Sequence, residues 1–193
     1  MKPMILIAKA WRLHLLLWAS LGMSVMAGIL DSPIRIPARD VSDIVFPLFP
    51  LAVSTAYTAC DEVLTTAPFE SRHHNRRLRR LALWIIALLV GLAGSWGATT
   101  VSAASFVVLA RNTTLFLGIV SIFGPRGASS VSGALASYCS ITWIIGSNGI
   151  NDQPQWWALP LYPADSASAL WIAVVTGVIS AIAVVGQRPI ERQ

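Results

Sequence analysis

The chain has 193 residues, of which 55% are hydrophobic and only 12% are charged, and its mean hydropathy is +0.65. These values are typical of membrane proteins and exclude an ordinary soluble domain. The net charge of +5 does not indicate nucleic-acid binding, because the basic residues lie at the ends of apolar segments, where the charge asymmetry of membrane proteins explains them.

The first twelve residues combine Lys2, Lys9 and Arg12 with apolar side chains. This pattern predicts a short helix that lies in the headgroup plane of the membrane. The n-region of a signal peptide would have a similar composition, and the residues alone leave that alternative open.

Six apolar segments follow, each long enough to cross the hydrocarbon core as a helix. The sequence therefore predicts one all-α integral membrane domain over residues 1–193, with six transmembrane helices and loops between them. The predicted spans are residues 13–30, 44–60, 81–101, 102–123, 128–146 and 166–186.

Small residues in two spans predict close contacts between helices. In the third span these are Gly91, Gly94 and Gly97. In the fifth span, small residues recur at every fourth position, at Ser129, Gly133 and Ser137.

The positions of the basic residues predict the orientation of the six spans. Eleven of the fourteen Lys and Arg residues lie in the N-terminal segment, the 61–80 loop, the 124–127 turn and the C-terminus. Only Arg35 and Arg39 lie on the other side, and Arg111 lies within a span. Since basic loops stay on the inner side, both termini are predicted to be cytoplasmic, and residues 31–43 and 147–165 are predicted to be outer loops.

The Arg111-Asn112 pair lies inside the fourth predicted span. A charge at membrane depth costs about 2.5 to 3.5 kcal/mol on insertion scales, so it needs a partner or water. Two interpretations remain open. Arg111 belongs either to a substrate or conformational pathway, or to a structural contact with an acid or with helix-end carbonyls near the outer face.

The sequence has none of the patterns expected of an enzyme or of a cofactor site. There is no G-x-x-x-x-G-K-[ST] phosphate loop, no H-E-x-x-H motif and no paired cysteine spacing. The three histidines, His14, His73 and His74, all lie near the predicted inner face, away from the span serines. We therefore expect no enzymatic activity, bound cofactor or metal in this chain.

The loop between the second and third spans resembles a recurring segment in permease subunits of type 2 ATP-binding-cassette (ABC) exporters. In that family an acid is followed by a Leu-Leu-Thr/Ser-x-Pro-like turn and then by basic residues that lead into the third helix. The corresponding residues here are Glu62, Val63, Leu64, Thr65, Thr66, Pro68 and Arg72. The plan of six spans with a basic N-terminal segment and a long last outer loop is also similar to that family.

This resemblance implies a membrane subunit that exports an amphipathic or hydrophobic substrate, such as a peptide, drug or lipid. It implies a bacterial plasma-membrane location, a soluble ABC ATPase that binds ATP and Mg, and a second permease, either a copy or a relative. In the family the loop forms a coupling helix that docks on the ATPase. It also implies that the second helix lines the seam between permeases, where Phe46, Phe49, Val53 and Tyr57 would face the substrate; the alternative is that they are packing residues.

The residues of the loop also favour such a contact by themselves. Residues 61–69 are predicted to form a short interfacial helix with Val63, Leu64 and Phe69 on an apolar side. Asp61, Glu62 and Glu70 are predicted to be open to solvent. Hydrophobic anchors with charges beside them suit a protein interface. The predicted ATPase contacts are Asp61, Glu62, Val63, Leu64, Thr65, Pro68, Phe69 and Arg72.

Other functional classes also fit the composition. A non-transporting membrane subunit, or an immunity-type protein that binds another membrane protein, needs no ATPase. A basic inner loop that only sets orientation would also have this charge pattern. An intramembrane enzyme, a channel and a secondary carrier have less support, since the chain shows no catalytic pair and no inverted repeat.

Overall fold

The computed structural model describes residues 12–29, 34–36, 39–41, 45–66, 73–102, 105–123, 128–146 and 154–186. These residues form six long helices, a two-stranded hairpin and one 3-10 turn. The helices are α1 (Leu13–Ile29), α2 (Val45–Thr66), α3 (His73–Val101), α4 (Phe106–Phe123), α5 (Ala128–Ile145) and α6 (Ala167–Gly186). The N-terminal helix predicted over residues 1–12 lies outside this part of the chain, except for Arg12.

Each predicted span corresponds to one helix, so the prediction of a predominantly α-helical protein is confirmed. Two helices extend further into the 61–80 loop than the apolar pattern indicates. α2 continues six residues past the predicted span, to Thr66, and α3 begins eight residues before it, at His73. The separate short helix predicted from residue 61 is therefore wrong, because residues 61–66 are the last turns of α2.

The segment between α1 and α2 also differs from the predicted loop. It contains strands β1 (Ile34–Ile36) and β2 (Arg39–Val41), which pair antiparallel. The register places Arg35 opposite Asp40, and two residues connect the strands, which is the commonest connection in a hairpin.

The bundle core is held together by close contacts of α3 with its neighbours. Ser20 and Ser24 of α1 donate hydrogen bonds to the carbonyls of Val90 and Gly94 in α3, both at 3.0 Å. A Cβ atom on Gly94 would overlap Ser20 Oγ and would lie 2.9 Å from Phe49 Cζ. The prediction that glycines of this helix permit close approach is thereby confirmed.

Two small residues of α5, Gly133 and Ser137, are not packed in this way by the part of the chain that the structure describes. Gly133 and Ser137 are exposed, and a Cβ atom on Gly133 would meet no atom within 4 Å. The side chain of Ser129 lies outside the described part. Among the described residues nothing covers this face, so its role in helix packing stays a prediction.

Three helical segments are long and apolar enough to cross a membrane: Arg77–Val101, Phe106–Phe123 and Ala167–Gly186. Among the described residues, α1 contributes a shorter apolar stretch, Leu13–Ala27. The protein is thus a helical bundle suited to a membrane. We call the end that contains Arg12, Asp61 and Arg80 the basic end, and the opposite end, where residues 154–165 lie, the cap end; residues 154–165 are the cap.

Candidate functional site

A buried ion pair joins α2 to α3 at the basic end. Arg80 Nε lies 2.7 Å from Asp61 Oδ1, and Arg80 Nη2 lies 2.8 Å from Asp61 Oδ2. The two side chains retain only 9% and 11% of their accessible surface. Two parallel, charge-assisted hydrogen bonds fix both the distance and the orientation of the helices at this point.

This pair changes the role of Asp61, which the sequence places at the solvent-exposed edge of the predicted ATPase contact. That placement is wrong, because the carboxylate faces α3 and not the solvent. Glu62, the next residue, is exposed as predicted. Of the two acids, Glu62 therefore lies at the surface, and Asp61 is buried beneath it.

The remaining predicted contact residues are less completely described. Pro68, Phe69 and Arg72 lie outside the described residues. The backbone of Val63, Leu64 and Thr65 belongs to the last turns of α2, and their side chains lie outside the description. Their role in a contact stays a prediction.

The predicted substrate-path residues of α2 lie in the interior of the bundle. Phe49 and Val53 pack with Ala27, Ala98 and Leu109. Tyr57 lies in a second core cluster, beside Leu16 and Leu83. In this conformation the three are packing residues, the alternative that the sequence leaves open; the side chain of Phe46 lies outside the described part.

Arg111 and Asn112 connect α4 to the cap. Arg111 is 4% exposed and Asn112 is fully buried. Arg111 Nη1 donates to the carbonyl of Pro163 at 3.1 Å, and Nη2 donates to the carbonyls of Leu159 and Tyr162 at 3.2 and 2.9 Å.

Further hydrogen bonds complete this attachment. Arg111 Nε donates to Asn112 Oδ1 at 3.1 Å, and Asn112 Nδ2 donates to the carbonyl of Pro160 at 2.8 Å. From α5, Tyr138 Oη donates to the carbonyl of Trp157 at 2.7 Å. Five backbone carbonyls of the cap thus accept bonds from three side chains of the bundle.

The structural interpretation of Arg111 agrees with this geometry, since its partners are carbonyls of the 3-10 turn Leu159–Leu161 and the residues after it. Backbone carbonyls are strong acceptors that must be paired when buried. The guanidinium therefore pairs three carbonyls of the cap, and the contact fixes the cap over the ends of α4 and α5.

Sequence reasoning missed Arg80 and Tyr138 as site residues. A signal for Arg80 exists, because Asp61 is the first charge after one apolar segment and Arg80 the last before the next. Consecutive antiparallel helices bring such positions to the same depth. For Tyr138 the sequence carries no comparable signal, because its acceptor is a backbone carbonyl 19 residues away.

Within the described ranges, no group of three or more His, Cys, Asp or Glu side chains lies close enough to hold a metal ion. Cys60 and Cys139 are both buried free thiols, as the sequence predicts.

Comparison with known proteins gives no family assignment: no family model matches the sequence, no curated protein matches it, and no solved structure matches the fold. The class of the protein therefore rests on its own composition and geometry. It is a helical bundle with three segments able to cross a membrane, an ion pair between α2 and α3, and a cap fastened to α4.

Proposed function

We propose that this chain is the membrane-spanning subunit of an ABC exporter, which moves an amphipathic or hydrophobic substrate outward with energy from a separate ATPase subunit. In this proposal all six helices cross a bacterial plasma membrane. The basic end and both termini are cytoplasmic, and the cap faces outward. The partners are a soluble ABC ATPase and a second permease, either a copy or a relative.

The dimensions of the helices support six spans. Five helices, α1, α2, α4, α5 and α6, have 17 to 22 residues. At 1.5 Å per residue they are about 25–33 Å long. That length suits a hydrocarbon core about 30 Å thick. α3, with 29 residues, would extend beyond the membrane at its arginine-rich start.

The observation that carries the proposal is the Asp61–Arg80 pair. It joins α2 and α3 at the two ends of the segment that the sequence assigns to the ATPase contact. Because the two helices are tied there, a displacement of residues 62–79 by a partner would move both helices together. A flexible loop would absorb the same displacement, so the ion pair favours transmission of force.

A second permease is supported by the exposed face of α5. Small residues such as Gly133 and Ser137 permit close approach between helices in a bilayer, yet none of the helices that the structure describes covers them. A partner permease would cover this face, and the substrate path would lie between the two subunits.

Purification from the native membrane tests the ATPase partnership. We expect a soluble ATPase with a G-x-x-x-x-G-K-[ST] loop to co-purify, and Glu62→Ala and Phe69→Ala to lower substrate-stimulated ATP hydrolysis severalfold. Asp165→Ala and Trp156→Ala are matched controls, because they remove an exposed acid and an exposed aromatic side chain at the cap end.

The coupling assignment fails if Glu62→Ala and Phe69→Ala purify with the ATPase and retain full stimulated hydrolysis. Recovery of another membrane protein, with no ATPase in the complex, would instead support the non-transporting subunit or immunity-type protein.

A further inference from the structure

A groove separates α4 from α6 at the cap end. Its volume is about 260 Å³, and its walls include Phe106, Val107, Ala110, Arg111, Leu170 and Val174. An apolar cavity of roughly 150 Å³ is enough to bind benzene, so this groove has room for a section of one alkyl chain.

Packing further along the two helices closes the groove on one side. A Cβ atom on Gly118 would lie 2.8 Å from Thr176 Cγ2, and one on Gly177 would lie 3.0 Å from Thr114 Cγ2. Closer to the cap end, the small side chains of Ala110 and Ala173 line the groove. The groove therefore ends where the helices touch, and its lining residues lie in the halves of α4 and α6 nearer the cap end.

Arg111, in the wall of this groove, has only neutral partners among the described residues. A guanidinium has five N–H donors, and four of them are accounted for by Asn112 Oδ1 and the three cap carbonyls. The fifth, on Nη1, has no acceptor in the described part of the chain. Dipoles thus solvate the positive charge, and no described carboxylate neutralises it.

We propose that the groove binds an anionic phospholipid, with one acyl chain between α4 and α6 and its phosphate near Arg111. Arg111 is five residues into α4, about 7.5 Å from the start of the helix, a depth that a headgroup can approach. A phosphate there would supply the missing negative charge, as anionic headgroups do in basic pockets between transmembrane helices.

The surroundings favour a lipid over a soluble anion. Next to the groove, α6 exposes Trp171, Val175 and Val178, large apolar side chains of the kind that bilayers cover. A soluble phosphate ion would gain nothing from the apolar walls of the groove, such as Leu170 and Val174, whereas an acyl chain would bury these two side chains. The lipid site does not depend on the exporter assignment.

A matched pair of substitutions on α6 tests the acyl-chain part. Val174 lines the groove, whereas Val175 lies beside it, and the two are similarly exposed, at 44% and 51%. We expect Val174→Trp to lower phosphatidylglycerol binding at least severalfold and Val175→Trp to leave it unchanged. Native mass spectrometry of the full chain in detergent, titrated with the lipid, measures the bound fraction.

The headgroup part is tested with phosphatidylglycerol and phosphatidylcholine of identical acyl chains. We expect the wild-type chain to prefer phosphatidylglycerol by about fivefold, the effect of one basic residue near an anionic lipid. Arg111→Gln should abolish the preference, and Arg111→Lys should retain most of it because the charge remains.

Equal binding by Val174→Trp and Val175→Trp would overturn the proposal, as would equal affinity of the wild-type chain for the two lipids. The first comparison leaves Arg111 and its cap contacts intact, so it decides the matter even if Arg111→Gln fails to fold.

Discussion

Asp61 and Arg80 lie 19 residues apart in the chain and meet in a two-point ion pair, with N–O distances of 2.7 and 2.8 Å. Each side chain offsets the desolvation cost of burying the charge of the other. The pair joins the last part of α2 to the first part of α3. It therefore holds the two helices at a fixed distance where the segment that connects them begins and ends.

Removal of one charge of the Asp61–Arg80 pair should therefore lower the free energy of unfolding. Asp61→Asn removes the carboxylate charge that pairs with the buried Arg80 guanidinium, and we expect a loss of about 3–5 kcal/mol in the free energy of unfolding. Glu62→Gln, at the exposed neighbouring acid, should cost little. Chemical unfolding in detergent micelles, followed by circular dichroism, measures both, and equal losses would contradict a structural role for the pair.

The exchanged pair, Asp61→Arg with Arg80→Asp, should recover much of the stability lost in Asp61→Asn, because the opposite charges face each other again. A double variant as unstable as the sum of its single variants would show that the local surroundings, and not the pairing, set the cost.

The cap should loosen when its cationic anchor is removed. Ala158 is fully buried in the cap, so Ala158→Cys should react slowly with a maleimide. Adding Arg111→Gln removes hydrogen bonds to three cap carbonyls, and we expect labelling to accelerate about tenfold or more, since a bond to a charged group contributes about 1.5–3 kcal/mol. The chain with only its two buried native cysteines is the control. Unchanged labelling would mean that the cap holds without Arg111.

Tyr138→Phe offers a milder version of the same test. It removes the hydroxyl that donates to the carbonyl of Trp157 and keeps the ring that packs against Phe116 at a centroid distance of 6.4 Å. We expect a loss of about 0.5–1.5 kcal/mol and a smaller rise in Ala158→Cys labelling than Arg111→Gln produces. A larger effect than that of Arg111→Gln would place the main anchor of the cap on α5.

Two glycine substitutions, one in α3 and one in α5, should have opposite effects on the stability of the fold. Gly94→Ala places a methyl group against Ser20 Oγ, which is held by its bond to the Val90 carbonyl, and overpacking of this kind costs about 1–3 kcal/mol. In the separate subunit, Gly133→Ala meets no atom within 4 Å and should stabilise its helix by up to about 1 kcal/mol. Thermal unfolding of the two variants distinguishes them, and similar shifts would contradict the close contact between α1 and α3.

Orientation is tested with single cysteines at two exposed positions. Trp156→Cys, in the cap, should react with a membrane-impermeant maleimide in intact cells. Glu62→Cys, at the basic end, should react only after the membrane is permeabilised. The reverse pattern would invert the topology, and labelling of both in intact cells would rule out a membrane between the two ends.

The helix positions could be predicted well because long apolar segments carry their own signal. The early start of α3 has a local explanation: no proline or glycine lies between His73 and Arg80, and arginine is a good helix former. Residues 73–80, which hydropathy alone assigns to a loop, are thus the first part of α3. The hairpin was also missed, although Ile34-Arg35-Ile36 alternates apolar and charged residues as strands do.

The site was harder to predict because its partners are distant or belong to the backbone. The sequence identifies Arg111 as a residue that needs acceptors, yet carbonyls have no sequence signature, so the cap could not be named as the partner. Asp61 was misplaced because an acid at a helix end looks the same whether it faces solvent or a neighbouring helix. Only the contact between α2 and α3 distinguishes an acid that faces solvent from one that faces a neighbouring helix.

The attachment of the cap to Arg111 also imposes an order of assembly during biosynthesis. The three carbonyls that accept from the guanidinium follow it by 48 to 52 residues, roughly two to ten seconds of translation. Until then α4 holds a cation without these acceptors, at a cost of about 2.5–3.5 kcal/mol if it is already at membrane depth. A nascent chain that stops before residue 159 should therefore leave α4 poorly inserted, because the cap, which is synthesised later, supplies the acceptors for Arg111.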